Sequence, residues 1–120
     1  MHKVLIVDDE PSVLNTLNRI CSQLGYKTFI ADSADLALEV FCLEEFDLVL
    51  LDVMMPDKSG FFVAREMKRI KPNQIIILVT GIGRKEAIFQ SYSKNVYVED
   101  ILLKPFSIWD VKAVLADNLC

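Results

Sequence analysis

The chain has 120 residues, with 13 Lys and Arg, 17 Asp and Glu, a net charge of −4 and 52% hydrophobic residues. That length makes one domain with a radius of gyration of roughly 14 Å, large enough to bury a core without disulfides or a structural metal. The apolar runs Val4–Val7, Leu48–Leu51 and Ile75–Val79 are too short for a membrane span or a signal peptide, and the excess of acids argues against a nucleic-acid-binding surface.

Five apolar strands alternate with helical stretches. Lys3–Val7 is the first strand. A helix follows, with Pro11 in its first turn, Val13, Leu14, Leu17, Ile20, Cys21 and Leu24 at helical spacing, and Gly25 as its stop. Lys27–Ala31 is a weaker strand suited to a sheet edge. The next helix runs from about Ser33 to Glu45 and gathers Leu36, Ala37, Val40 and Phe41 on one face. Asp47–Leu51 is a buried strand. After a Met-Pro turn, Gly60–Ile70 is helical through Val63, Met67 and Ile70, and Pro72 ends it.

Ile75–Val79 is too apolar to have a wet face, which suits a parallel sheet covered on both sides. Residues 84–94 form the helix with the poorest pattern (Ala87, Ile88, Phe89, Tyr92), and Val96–Leu103 holds the fifth strand. Ser107-x-x-Asp110 is a capping box that opens a last helix to about Asn118. This alternation predicts a single (βα)5 doubly wound domain over residues 1–120. Cys21, Cys42 and Cys120 are scattered and odd in number. They read as reduced thiols of a cytoplasmic protein rather than a disulfide frame or zinc site.

In open parallel sheets, function gathers outside the carboxyl ends of the strands. Those ends carry Asp8, Asp9 and Glu10 after strand one, Asp52 after strand three, Thr80 and Gly81 after strand four, and Lys104 with Pro105 after strand five. Each group alone has a plain explanation: an acidic helix start beside Pro11, an ordinary turn, a solvated lysine. Their coincidence at four strand ends does not. Three carboxylates so close repel one another unless a cation sits among them. Asp8, Asp9 and Asp52 bring three negative charges and Lys104 one positive. The two left over are what one divalent hard cation neutralises, and oxygen ligands favour Mg²⁺.

Val4-Leu5-Ile6-Val7-Asp8-Asp9-Glu10, Asp52-Val53-Met54-Met55-Pro56-x-x-x-Gly60, Thr80-Gly81 and Lys104-Pro105-Phe106 together resemble the receiver domain of two-component response regulators. The likeness spans nearly the whole chain. It implies a five-stranded sheet in the flavodoxin-like order 2-1-3-4-5, with helices on both faces. By that resemblance Asp52 is the phosphoacceptor, and Asp8, Asp9, Asp52 and the Met54 backbone carbonyl hold Mg²⁺. Thr80, Gly81 and Lys104 contact the phosphoryl group. The implied donor is a phosphohistidine on a sensor histidine kinase or phosphotransfer protein. The implied output is an effector domain or protein reached through a face that changes on phosphorylation. A weak or phosphorylation-dependent dimer is also admitted. The domain is then a regulatory phosphoacceptor that assists its own phosphotransfer and autodephosphorylation, not a turnover enzyme.

Two features depart from the family pattern. Ile101 stands three residues before Lys104, where the family usually carries an aromatic ring that turns inward on activation, and the segment from Thr80 to Lys104 is slightly longer. Ile101 is therefore expected to stay packed in both states, with activation-linked change concentrated in residues 81–97. The rivals are a degenerate receiver acting by protein contact only, a haloacid-dehalogenase-like phosphatase and a flavin carrier. The phosphatase wants a second Asp two residues after the nucleophile, where Met54 stands, and the flavin carrier's first loop would not repel phosphate as Asp8-Asp9-Glu10 does. No effector is expected within these 120 residues, which suit either a stand-alone regulator or a receiver cut from a longer protein.

Overall fold

In the computed structural model, which describes residues 1–119, the strands are β1 (Lys3–Val7), β2 (Lys27–Ala31), β3 (Leu48–Asp52), β4 (Ile75–Thr80) and β5 (Asp100–Leu103). The helices between and after them are α1 (Pro11–Gln23), α2 (Ala34–Leu43), α3 (Gly60–Ile70), α4 (Arg84–Ser93) and α5 (Ile108–Asn118). All strand pairs are parallel, in the order β2-β1-β3-β4-β5. The radius of gyration is 12.8 Å.

Strand alternation sorts the core into two layers. Val4, Ile6, Leu48, Leu50, Ile77 and Val79 pack with Leu14, Leu17 and Cys21 of α1 and with Val111 and Leu115 of α5. Leu5, Val7, Val49, Leu51, Ile76 and Leu78 pack on the other face with Phe41 of α2, Val63 and Met67 of α3 and Ala87 of α4. Every residue of β3 is buried, as a central parallel strand covered on both sides requires.

The helix ends follow their local chemistry. Ser33, Ser59 and Ser107 each accept the backbone N–H three residues on, and Ser107 forms the full capping box with Asp110. Gly25, at φ +94°, ends α1: its amide bonds the Ser22 carbonyl and the next amide, Tyr26, reaches back to Cys21. Asn95, at φ 59°, ends α4 with the same pair of bonds, to Tyr92 and from Val96 to Ser91.

Several expectations shift. The third and fourth strands each extend one residue further, so Asp52 and Thr80 are their last residues rather than the first of the following loops. Within the 96–103 stretch the fifth strand occupies only Asp100–Leu103. Val96 is instead a buried plug beneath α4, leaving 97–99 as connection. Leu36 was expected to face inward with Phe41, but is 39% exposed because Ala34, Ala37 and Phe41 already fill the inner stripe of α2. Ile70 is equally exposed at the end of α3, and Phe89 and Tyr92 of α4 point to solvent, leaving Ala87 and Ser91 as that helix's buried face. Cys21 and Cys42 are free thiols; burial pushes Cys21 up to about 12. Cys120 lies outside the described residues.

Candidate functional site

The sheet register sets the strand ends side by side. Val7 pairs with Leu51, Asp52 with Val79, and Thr80 with Leu103. One residue past Val7 is therefore Asp8, beside the end of β3, and one past Leu103 is Lys104, whose long side chain reaches Asp52 across the end of β4. Asp8 and Asp52 are buried, at 0% and 3% exposure, while Asp9 is half-buried. Oxygens of Asp8, Asp9 and Asp52 all lie within 4.8 Å of one another.

Lys104 completes the cluster. Its Nζ donates to Asp52 Oδ1 at 3.1 Å and stands 3.2 Å from Asp8 Oδ2. The second approach has ion-pair distance without hydrogen-bond geometry. Asp8 Oδ1 accepts the Glu10 amide at 2.9 Å, whereas Asp8 Oδ2 is fully buried with no hydrogen-bond partner. A buried carboxylate oxygen left in that condition is costly unless something positive completes it. A hard divalent cation fits: the donors are all carboxylate oxygens, they converge, and one lone oxygen still wants a partner.

Electrostatics point the same way. Burial pushes the Asp52 carboxyl up to about 6, the Asp8 and Asp9 charges push in the same direction, and Lys104 opposes them. For Lys104, burial works against the charge, but its hydrogen bond to Asp52 and the charges of Asp52 and Asp8 outweigh it and hold the ammonium above its usual range.

The structure brings Asp8, Asp9, Asp52 and Lys104 together, and it separates the others. Thr80 is buried at the end of β4, but its Oγ1 accepts the Ile82 amide at 3.1 Å rather than meeting Asp52. Its carbonyl accepts the Lys104 amide at 2.8 Å, tying the ends of β4 and β5. Gly81 is exposed, and the Met54 side chain is 75% exposed at the mouth of the site. The Lys104–Pro105 peptide is cis. Ile101 is buried at 5% in the core that also holds Ala87 and Val96.

Two further residues shape the site, Gly60, which the sequence motif includes, and Asp57, to which the sequence assigned no role. A Cβ on Gly60 would stand 2.2 Å from the Asp52 carbonyl oxygen, so α3 starts against the end of β3 only because residue 60 has no side chain. Its distance of eight positions from Asp52 was a readable signal. Asp57 accepts the amide of Ala34 at 3.1 Å, linking the loop after β3 to α2; no local pattern announces that contact, which joins two loops distant in the chain.

Fold and site thus define a doubly wound domain with an acidic, lysine-bridged cluster at the strand ends. The family of response regulator receiver domains matches residues 4–116, and the chain belongs to it. It is 34% identical over 110 residues to sporulation initiation phosphotransferase F of Bacillus subtilis, covering 92% of this chain and 87% of that one. It is also 34% identical over 111 residues to the probable transcriptional regulator ycf27 of Cyanophora paradoxa, spanning 92% of this chain but only 45% of that relative's length. Among solved structures, chemotaxis protein CheY4 of Vibrio cholerae superposes with a TM-score of 0.92 at 25% identity over 99% of both chains. TrrA of Thermotoga maritima, in complex with Mg²⁺ and a beryllium fluoride, gives 0.88 at 30% identity over 99% of this chain and 100% of that one. Among the described residues, no helix is long and apolar enough to cross a membrane.

Proposed function

We propose that this receiver domain accepts a phosphoryl group on Asp52 from a phosphohistidine of a sensor kinase or phosphotransfer protein. The reading rests chiefly on one observation: Asp52 ends the central strand 3.1 Å from Lys104 Nζ, with Asp8 and Asp9 converging on the same point. An Asp52 oxygen attacks phosphorus, the new O–P bond forms as the P–N bond breaks, and the bonding pair leaves with the donor's imidazole, which departs neutral when its other ring nitrogen already carries a proton. Asp8, Asp9, Asp52 and the Met54 carbonyl are the groups that would hold Mg²⁺, which neutralises charge on the transferring group when bound. Lys104 stabilises a second phosphoryl oxygen, moving from Asp52 as that carboxylate becomes an ester-like acyl phosphate. Thr80 Oγ1, once it lets go of the Ile82 amide, donates to a third, with the Gly81 amide beside it.

Autodephosphorylation by water reverses the modification. The readout is a change in affinity for an effector domain or protein, in a cytoplasmic two-component pathway. Incubation with acetyl phosphate and Mg²⁺ should add one phosphoryl group, labile to hydroxylamine, and Asp52→Asn should take up none. Full labelling of that variant would overturn the assignment.

A further inference from the structure

We infer that Asp57 is a positioning residue for the metal, holding the loop that carries Met54 in place by capping the neighbouring helix α2. The inference rests on the reading of Asp52 as phosphoacceptor and adds a residue to it. Val53 is fixed at both ends: its amide donates to the Val79 carbonyl at 3.2 Å and its own carbonyl accepts the Gly60 amide at 2.8 Å. From Met54 to Lys58, in contrast, no residue makes a backbone–backbone hydrogen bond among the described residues, and Pro56 has no amide to offer. The buried Met55 side chain holds that stretch on one side. On the other, Asp57 Oδ2 accepts the Ala34 amide at 3.1 Å and Lys58 Nζ meets Asp35 Oδ1 at 2.6 Å.

Ala34 is the first residue of α2, so its amide has no partner within the helix. A carboxylate placed there is favoured by the hydrogen bond and by the helix dipole. The contact gives a loop with no backbone bonds of its own an external anchor three residues beyond Met54. A carbonyl ligand on an unanchored loop would sample many positions, and ordering it on binding would weaken metal affinity.

Calorimetric titration of the whole chain with Mg²⁺ tests this without any turnover readout. Asp57→Ala should weaken Mg²⁺ binding about tenfold, the lower end of the loss on removing an outer support of a metal ligand. Asp57→Asn removes the same charge but keeps an N-terminal cap of similar strength, so it should bind within about twofold of the parent. Hydrogen exchange should rise at Ala34 in the alanine variant alone. If Asp57→Ala binds like the parent, the loop needs no anchor and the inference fails. If the Asn variant weakens as much as Ala, the effect is charge and not positioning, and it fails equally. A parent that binds no Mg²⁺ at all would instead sink the reading of the site, and the positioning role with it.

Discussion

Gly60 and Asp52 are in closer contact than any residue with a Cβ could allow, the hypothetical atom lying 2.2 Å from the Asp52 carbonyl oxygen and 2.8 Å from Val53 Cα. Both obstacles are backbone, so nothing flexible can yield. Gly→Ala in an ordinary helix adds stability of up to about 1 kcal/mol. Here Gly60→Ala should reverse the sign, costing about 1–3 kcal/mol as in other overpacked sites. It should also weaken Mg²⁺ binding, because relief of the clash must move the end of β3. Thermal unfolding read beside the metal titration checks both; a stabilised variant with parental affinity would show that α3 can shift freely.

The raised Asp52 carboxyl makes a signed prediction about pH. Its ordinary value is 3.8 and its folded value about 6, so between about pH 4 and 6 the folded state binds more protons than the unfolded. Stability from this group is therefore lost as pH rises through that window. In EDTA, Asp52→Asn should melt above the parent at pH 7, and the gap should close toward pH 4. A gap that widens on acidification would mean Asp52 is stabilised as the anion. Adding Mg²⁺ should narrow the gap at pH 7, since the cation favours the charged carboxylate.

Removing Asp9 should separate metal from fold. Asp9 is half-buried and among the described residues accepts no side-chain hydrogen bond, so its loss should leave little unpaired. Asp9→Ala should weaken Mg²⁺ binding and slow phosphorylation while the metal-free melting point holds or rises, as like-charge repulsion falls. A collapse in circular dichroism would mark Asp9 as a structural cap instead.

Ile101 and Arg84 allow the proposed coupling between site and surface to be tested. Ile101→Ala should cost about 2–4 kcal/mol, as for other buried aliphatic truncations. Arg84, at the start of α4, donates to Asp100 Oδ1 at 3.2 Å and to the Ile101 carbonyl at 3.4 Å, and Asp100 accepts Asn118 of α5 through its other oxygen. If Thr80 gives up the Ile82 amide on phosphorylation, the turn leading to Arg84 should loosen. Hydrogen exchange with and without beryllofluoride should then differ across residues 81–97, more than at 101. Arg84→Ala should shrink that difference with a stability loss under about 1 kcal/mol, the scale of an exposed ion pair. A difference centred on Ile101 and unchanged in Arg84→Ala would make the isoleucine itself the moving part.

The strands and the acid–lysine cluster were legible because each lies in a short continuous signal: an apolar run, then a charged residue at its carboxyl end. Asp8, Asp52, Thr80 and Lys104 sit where that pattern puts them. Leu36 and Ile70 were misread for one shared reason. Their neighbours in space, not in sequence, decide whether an apolar side chain finds room inside. The same holds for Asp57, whose partner Ala34 is brought beside it only when β2 and β3 flank β1 in the finished sheet.

That pairing has a thermodynamic corollary. Asp8 and Asp52 come from β1 and β3, which meet only when the intervening β2–α2 unit has folded between them in the chain. A cation that needs both carboxylates has nothing comparable to bind in the unfolded ensemble. If the site binds Mg²⁺ as proposed, the ion should act as a folding ligand, raising the unfolding free energy by about 2.7 kcal/mol at a hundred times its dissociation constant. Lowering free Mg²⁺ would then soften the whole domain along with the site, so metal supply would set its resistance to unfolding.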